Sequence, residues 1–266
     1  MGKARLRHYA LFLFFVLFFA GPTAVLVVSL FAPGWTWPNI VPATYSTKAL
    51  QSIAQHSSSI LLHLSVSVLY SLTTTFCTLL LCLLPAYHFA RVDFKGKNAL
   101  QGILLTPALV PAMTFSMGIH HVFIKFSLAD SFAGVVLILT IFSYPYMLRA
   151  LISGFEAYSE EYELCAKNLG ASLWMRLRHV VFPLLLPSII AGGSVVFLVA
   201  FSDYYLVFLI GGGVVPSFTG YLFPFITGAD RAMASALTLI FLIVPVTLFV
   251  LVELSVRKFY QRTGLY

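Results

Sequence analysis

Two adjacent histidines, His120 and His121, with Met113 and Met117 one to two helical turns before them, form the grouping in this sequence nearest to a soft metal site. Neighbours on a helix point about 100° apart, so both imidazoles seldom reach one ion without a loop between them. The seven histidines are otherwise scattered, and none makes the H-E-x-x-H pair of a zinc hydrolase. No nucleophile–base set is legible. The string that cradles a nucleotide phosphate (Gly, four residues, Gly-Lys, then Ser or Thr) is absent, and Phe94-Lys95-Gly96-Lys97-Asn98 lacks its spacing and hydroxyl. Gly211-Gly212-Gly213 could form a phosphate nest, but between an apolar run and Pro216 a flexible external turn is the plainer reading. The expectation is a chain with no metal, no cofactor and no catalytic centre of its own.

The remaining ionisable groups lie in or beside apolar runs. Asp203 stands about 20 residues past Pro183, roughly 30 Å along a helix at 1.5 Å per residue, near the end of its run. A carboxylate there faces a bundle interior or a watery cavity by default, which makes Asp203 and Tyr204 candidates for lining a polar path. The competing reading is an interfacial carboxylate capping the helix end, with Tyr204 and Tyr205 as aromatic-belt residues. His63 reads as a satisfied core histidine. Cys77 and Cys82 fall inside an apolar run and Cys165 in a charged loop, which offers neither an oxidising compartment nor an obvious geometry for a disulfide; they read as packing residues.

The elements that must position these groups follow from composition. Hydrophobic residues make up 60% of the 266 and charged ones only 9%, and the mean hydropathy is +0.95. No aqueous fold hides that much apolar surface. The chain divides into about six apolar spans long enough for a bilayer, near Tyr9–Phe31, Ile60–Tyr87, Ala99–Ile119, Phe132–Ile152, Pro183–Leu209 and Met233–Val256. A removable signal peptide is the alternative for the first, but it ends in Phe31 and Pro33 rather than in a small-residue cleavage site. Trp35 and Trp37 beyond it suit a headgroup interface. Pro85 and Pro145 interrupt two spans, which neighbouring helices can accommodate. The fold class expected is an all-α membrane protein, with residues 1–266 forming a single transmembrane domain.

Orientation follows from the basic residues. Loops counted alternately from the N-terminus place Lys3, Arg5, Arg7, Arg91, Lys95, Lys97, Arg149, Lys167, Arg176, Arg178, Arg257, Lys258 and Arg262 on one side, and only Lys48, Lys125 and Arg231 on the other. This division of the 16 basic residues puts both termini in the cytoplasm. It also accounts for the formal charge of +7 without nucleic acid, because the basic patches sit beside helix ends as headgroup anchors.

The segment 153–182 is too charged to span and too patterned to be a floppy loop. Ser159 can cap a helix that starts near Glu160, with Glu160, Glu161 and Glu163 in a first turn where the helix dipole favours anions. Gly170 fits a C-terminal stop, and Trp174, Leu177 and Val181 recur at helical spacing beyond it. The pattern predicts a short helix, a bend at Gly170 and a second helix, both held parallel to the membrane surface, as a unit for docking against a soluble partner.

At this segment the chain resembles the permease subunits of binding-protein-dependent ABC importers. Their signature is Glu-Ala-Ala, a Gly four residues after the last of these, and a Leu-Pro pair about a dozen residues further on. Cys165 and Ala166 fall on the two Ala positions, Gly170 on the Gly, and Phe182-Pro183 on the Leu-Pro; Leu164 occupies the Glu position, with Glu163 displaced by one. Ala90-Arg91-Val92-Asp93-Phe94-Lys95-Gly96-Lys97-Asn98 looks like the basic turn of the spermidine/putrescine, ferric-iron, thiamine and aminoethylphosphonate branch. The stretch from Phe201 through Gly213 and the six-helix order strengthen that placement.

The resemblance implies a type I ABC importer permease fold and a translocation path for a small solute in the bacterial inner membrane. It also implies that 153–182 is the cytoplasmic coupling loop. Tyr162 through Ser172 would seat in a groove of a separate ATPase. Leu164, Cys165 and Leu169 would give apolar contact, Lys167 and Asn168 would lie at the rim, and Gly170 would supply the bend. Two ATPase subunits would bind the ATP and Mg. A second permease subunit completes the path, a heterodimer partner that keeps the Glu being able to offset its loss here. A solute-binding protein would dock outside, on 32–59 and 211–232. If Asp203 lines the path, a polyamine- or thiamine-like cation is favoured over an anion. The alternatives are an ordinary surface helix at 162–172, a secondary transporter, for which Asp203 alone offers too few mid-membrane charges, and a membrane assembly subunit that transports nothing.

Overall fold

A computed structural model describes residues 2–36 and 38–263, with side chains for all of these except 2–7, 10, 259, 262 and 263. The interfacial reading of Trp37 and the side chains of Lys3, Arg5, Arg7 and Arg262 lie outside the described residues. The helices are α1 (Gly2–Phe31), α2 (Lys48–Gln55), α3 (Ser57–Arg91), α4 (Lys97–Leu105), α5 (Ala112–Lys125) and α6 (Phe132–Glu156). There follow α7 (Glu161–Asn168), α8 (Leu173–Arg176), α9 (Phe182–Ser202), α10 (Tyr205–Gly211), α11 (Phe218–Thr227) and α12 (Arg231–Thr263). No strand occurs among the described residues, as expected for an all-α protein.

Five runs are long and apolar enough to cross a bilayer: Leu11–Phe31, Ser57–Arg91, Phe132–Glu156, Leu173–Ser202 and Arg231–Lys258. A sixth is a broken pair, Lys97–Ala108 and Ala112–Lys125, bent by 88°. The straight span expected from Ala99 to Ile119 is therefore corrected. Pro107 sits in a 3-10 turn (Thr106–Ala108) and Pro111 precedes α5 in an extended conformation. Neither proline has an N–H to donate, so each removes a helical hydrogen bond, and the chain bends between them instead of continuing as one helix.

The chain forms two compact units. One comprises Met1–His63 and Gly220–Tyr266. In it α1 and α2 pack on α12, where Ala49, Ala232 and Ala236 meet Leu30 and Ile53. Asp230 caps α12 by accepting the Met233 N–H at 3.0 Å. The run of Phe and Leu from Leu11 to Phe19 is exposed, the surface a helix presents when lipid is its solvent. His63 holds its reading as a satisfied histidine: Nδ1 lies 2.7 Å from the Ser59 carbonyl oxygen, and its ring is 4.8 Å from that of Tyr221.

The other unit, Leu64–Thr219, is built on α6 packed along α9. A Cβ on Gly192 would lie 2.8 Å from the Ala150 Cβ, and one on Gly154 only 2.4 Å from the Ser188 Oγ. Small residues let these two backbones close up, the usual source of helix association where no hydrophobic drive exists. Met147, Leu148 and Leu151 are almost wholly buried along this contact. Two buried hydroxyls of α3 are spent on their own helix, Ser71 donating to the Ser67 carbonyl at 2.7 Å and Thr78 to that of Thr74 at 2.5 Å, while the Ser67 Oγ accepts the Phe218 N–H at 2.8 Å. Cys82 packs in this core, its thiol 3.5 Å from the Tyr144 carbonyl oxygen. Cys165 is exposed, so its packing reading is corrected.

Candidate coupling site

The turn that enters α7 begins at Ser159, whose Oγ accepts the Glu161 N–H at 3.2 Å. The helix ends where Gly170 takes a φ of +83°. There the Ala171 N–H reaches back to the Ala166 carbonyl and the Gly170 N–H to that of Lys167, each at 3.0 Å. This pattern satisfies the last carbonyls and favours glycine at its left-handed residue. Ser172 then opens α8, its Oγ accepting the Met175 N–H at 3.3 Å. The order short helix, glycine bend, second helix is the one expected.

The second helix differs from expectation in where it goes. After α8 the chain makes a single π turn, Leu177–Val181, and continues into α9, so Leu173–Ser202 is one run. Phe182-Pro183 is inside that run rather than at the start of a separate helix. A π turn absorbs one extra residue without breaking the helix and recurs at functional sites. Of the expected stripe, Val181 is buried while Trp174 and Leu177 are exposed.

Outward, the segment shows apolar groups that no described residue covers. Leu169 is 88% exposed, Trp174 71% and Leu164 47%, with Tyr162, Cys165, Lys167, Asn168 and Ser172 also exposed and Ala166 and Ala171 half-buried. Exposed apolar patches of this kind mark protein or membrane interaction sites.

Glu163, which the sequence places in the first turn of this helix and in the groove-seated segment, points the other way. It is 9% exposed, and its Oε1 accepts the Tyr158 hydroxyl at 3.0 Å. Arg91, the last residue of α3, donates from Nη1 to the Tyr158 carbonyl oxygen at 3.1 Å and lays its guanidinium 4.6 Å above the Tyr158 ring. Its Nη2 stands 3.9 Å from Glu163 Oε1, an ion pair without a hydrogen bond. The Nε and Nη2 protons of Arg91 have no acceptor among the described residues. Burial and then the bond to Glu163 push the Tyr158 phenol well above its usual range, so it stays protonated and remains the donor. Sequence reasoning singled out Glu163 but missed Arg91 and Tyr158 as its partners. A single Arg at the end of a span was the signal available, and it was read as a headgroup anchor.

Asp203 ends α9 with an extended backbone (φ −73°, ψ 110°). Its Oδ1 accepts the Leu206 N–H at 2.7 Å, and its carbonyl lies 3.4 Å from the Thr219 hydroxyl. The carboxylate thus caps the following short helix, the arrangement of the competing reading, and the run expected over Pro183–Leu209 breaks at Asp203 and Tyr204. Tyr204 stacks on Phe208 at 5.5 Å, and the Tyr205 hydroxyl meets Ser116 Oγ at 2.9 Å. A groove of about 520 Å³ between α4, α6 and α9 is lined by Leu109, Tyr146, Arg149 and Gly192; Arg149 had been counted only as a loop charge. Among the described residues no three His, Cys, Asp or Glu side chains come together as a metal site.

Comparison with known proteins bears on this arrangement. The family described as "Binding-protein-dependent transport system inner membrane component" matches residues 78–264. The molybdate/tungstate transport system permease protein WtpB of Thermococcus kodakarensis is 33% identical over 137 residues, 50% of this chain and 55% of that protein. The match thus spans about half of that relative's length. The spermidine/putrescine transport system permease protein PotC of Haemophilus influenzae is 25% identical over 175 residues, 66% of this chain and 68% of that protein. The crystal structure of a bacterial ABC transporter involved in the import of the acidic polysaccharide alginate aligns with a TM-score of 0.69 and 13% identity, over 94% of this chain and 95% of that one. That likeness is one of fold.

Proposed function

The chain belongs to the binding-protein-dependent transport system inner membrane components, and from that premise we propose that it is the permease subunit of an ATP-driven importer, forming half of a translocation path for a small solute. The observation that carries this reading is the exposed apolar face of Leu164 and Leu169, on a helix held at both ends by Ser159 and Gly170, with Trp174 exposed just beyond it. In this reading Tyr162 through Ser172 seats in a groove of an ATPase subunit, one of two that bind the ATP and Mg. A second, non-identical permease subunit completes the path, and a solute-binding protein docks on the opposite face. Both termini and the segment 153–182 lie in the cytoplasm, on the strength of the charge division. ATP hydrolysis is assigned to the partner chains.

Substrate class is the finer part. Relatives by name handle molybdate or tungstate, spermidine or putrescine, trehalose and 2-aminoethylphosphonate. A polyamine- or thiamine-like cation follows if Asp203 faces the path; its role as a cap for α10 supplies the other explanation for a carboxylate at that place.

The test is purification of the tagged full-length chain from membranes in mild detergent. An ATP-hydrolysing subunit is expected to co-purify, and Leu169→Asp is expected to reduce its recovery at least tenfold while the inserted chain keeps its yield. No ATPase with the wild type, or full recovery with Leu169→Asp, would overturn the reading.

A further inference from the structure

The docking face of α7 explains what the segment can hold on to, but not how its movement would reach the apolar helices. Three residues from three parts of the fold bear on that. Arg91 closes α3, Tyr158 lies in the turn after α6, and Glu163 is on the inward face of α7. They form a closed set: the Arg91 Nη1 donates to the Tyr158 backbone at 3.1 Å, the Tyr158 hydroxyl donates to Glu163 at 3.0 Å, and Arg91 returns to Glu163 at 3.9 Å. Both charged side chains are only 11% exposed. The geometry points to Glu163 as a positioning residue that pins the docking helix to the end of α3, so that α7 and α3 move together.

The physical case rests on what each contact restrains. Losing either member of a buried carboxylate–guanidinium pair leaves the other charge uncompensated, unlike at a surface pair, and the Tyr158 ring lies against the guanidinium. Glu161, in the same first turn, is exposed and makes no such set, so the first turn of α7 is anchored through one carboxylate. The 3.9 Å separation and the Arg91 Nε and Nη2, which have no acceptor among the described residues, leave the pair able to tighten into a hydrogen-bonded one when α7 is pushed toward α3. Leu164, at the position where the family signature has Glu, faces outward. The displaced Glu163 therefore serves the permease's own interior and not the docking surface.

This inference rests on the docking role proposed for α7, and its test separates the two. A spin label is placed on Cys165 in the full chain carrying Cys77→Ala and Cys82→Ala, reconstituted in lipid vesicles with its co-purified ATPase. Glu163→Gln and the milder Tyr158→Phe are each expected to raise the mobile spectral fraction at least twofold, while Glu161→Gln leaves it unchanged. Equal spectra for Glu163→Gln, Tyr158→Phe and Glu161→Gln would overturn the pinning. A second label is introduced by Val92→Cys, in the Cys165→Ala background, at the end of α3. ATP with vanadate is expected to shift both labels in the wild type, but only the Cys165 label in Glu163→Gln. Movement of both labels in Glu163→Gln would overturn transmission through Glu163. If ATP with vanadate moves neither label in the wild type, the docking role and the transmission fall together, while the static spectra still decide the pinning.

Discussion

Arg91, at the end of α3, and Glu163, in α7, stand 3.9 Å apart in a pocket closed by Tyr158. Removing one partner from a buried pair leaves the other charge uncompensated, at about 3–5 kcal/mol in the fully buried limit. With each side chain 11% exposed and no direct hydrogen bond between them, about 1–3 kcal/mol is the fitting range. Glu163→Gln should therefore lower the detergent-solubilised melting temperature by several degrees, and Glu161→Gln should leave it within a degree. As a solvated charge Glu163 would have had no such effect; equal melting temperatures for the two variants would restore that view.

Gly170 adopts a φ of +83° with open space around it, so the obstacle to a side chain there is the backbone and not a clash. A β-branched residue in the left-handed region costs about 1–2 kcal/mol or more. Gly170→Val should insert normally yet lose ATP hydrolysis stimulated by solute and binding protein, because the turn that presents α7 is reset. Wild-type transport in this variant would sink the coupling assignment.

Asp203 offers a clean pair of substitutions. Asp203→Asn keeps an acceptor for the Leu206 N–H and removes the charge, whereas Asp203→Ala removes both. If the carboxylate is a cap, only the alanine variant should lose assembled complex, by about 1 kcal/mol of helix-start stabilisation, and the asparagine variant should transport normally. A several-fold drop in transport with full assembly in Asp203→Asn would instead place its charge on the path of a cationic solute. Assembled complex and initial uptake rate, measured in one preparation, decide between them.

Gly192 admits no side chain without displacing Ala150, since the added carbon would sit 2.8 Å from its Cβ. Gly192→Leu should force α6 and α9 apart and cost about 1–3 kcal/mol in overpacking, read as a fall in the yield of monodisperse protein. Gly193→Ala is the control. Its nearest neighbour would be the Thr75 methyl at 3.4 Å, an ordinary contact, and its yield should match the wild type.

Much of this protein was legible in its residues. Apolar run length fixes how many helices a bilayer can accept, so the five long runs and the bent sixth followed from composition, and Gly170 with Ser159 marked the bounds of α7 because caps and stops are local chemistry. Pro111 and Asp203 show where local reading failed. Hydropathy does not register an 88° bend or a carboxylate that turns back to cap the next helix, since both depend on backbone direction. The orientation of Glu163 was beyond sequence reach for a similar reason. A first-turn glutamate has the same local chemistry whether it faces water or protein, and only the arrival of Arg91 from the end of α3 and of Tyr158 from the turn after α6 decided that it faces in. The residues thus determined which segments are helices and which solvent they meet. The tertiary structure alone decided which charges meet each other, because burial of a charge depends on partners brought together by the fold.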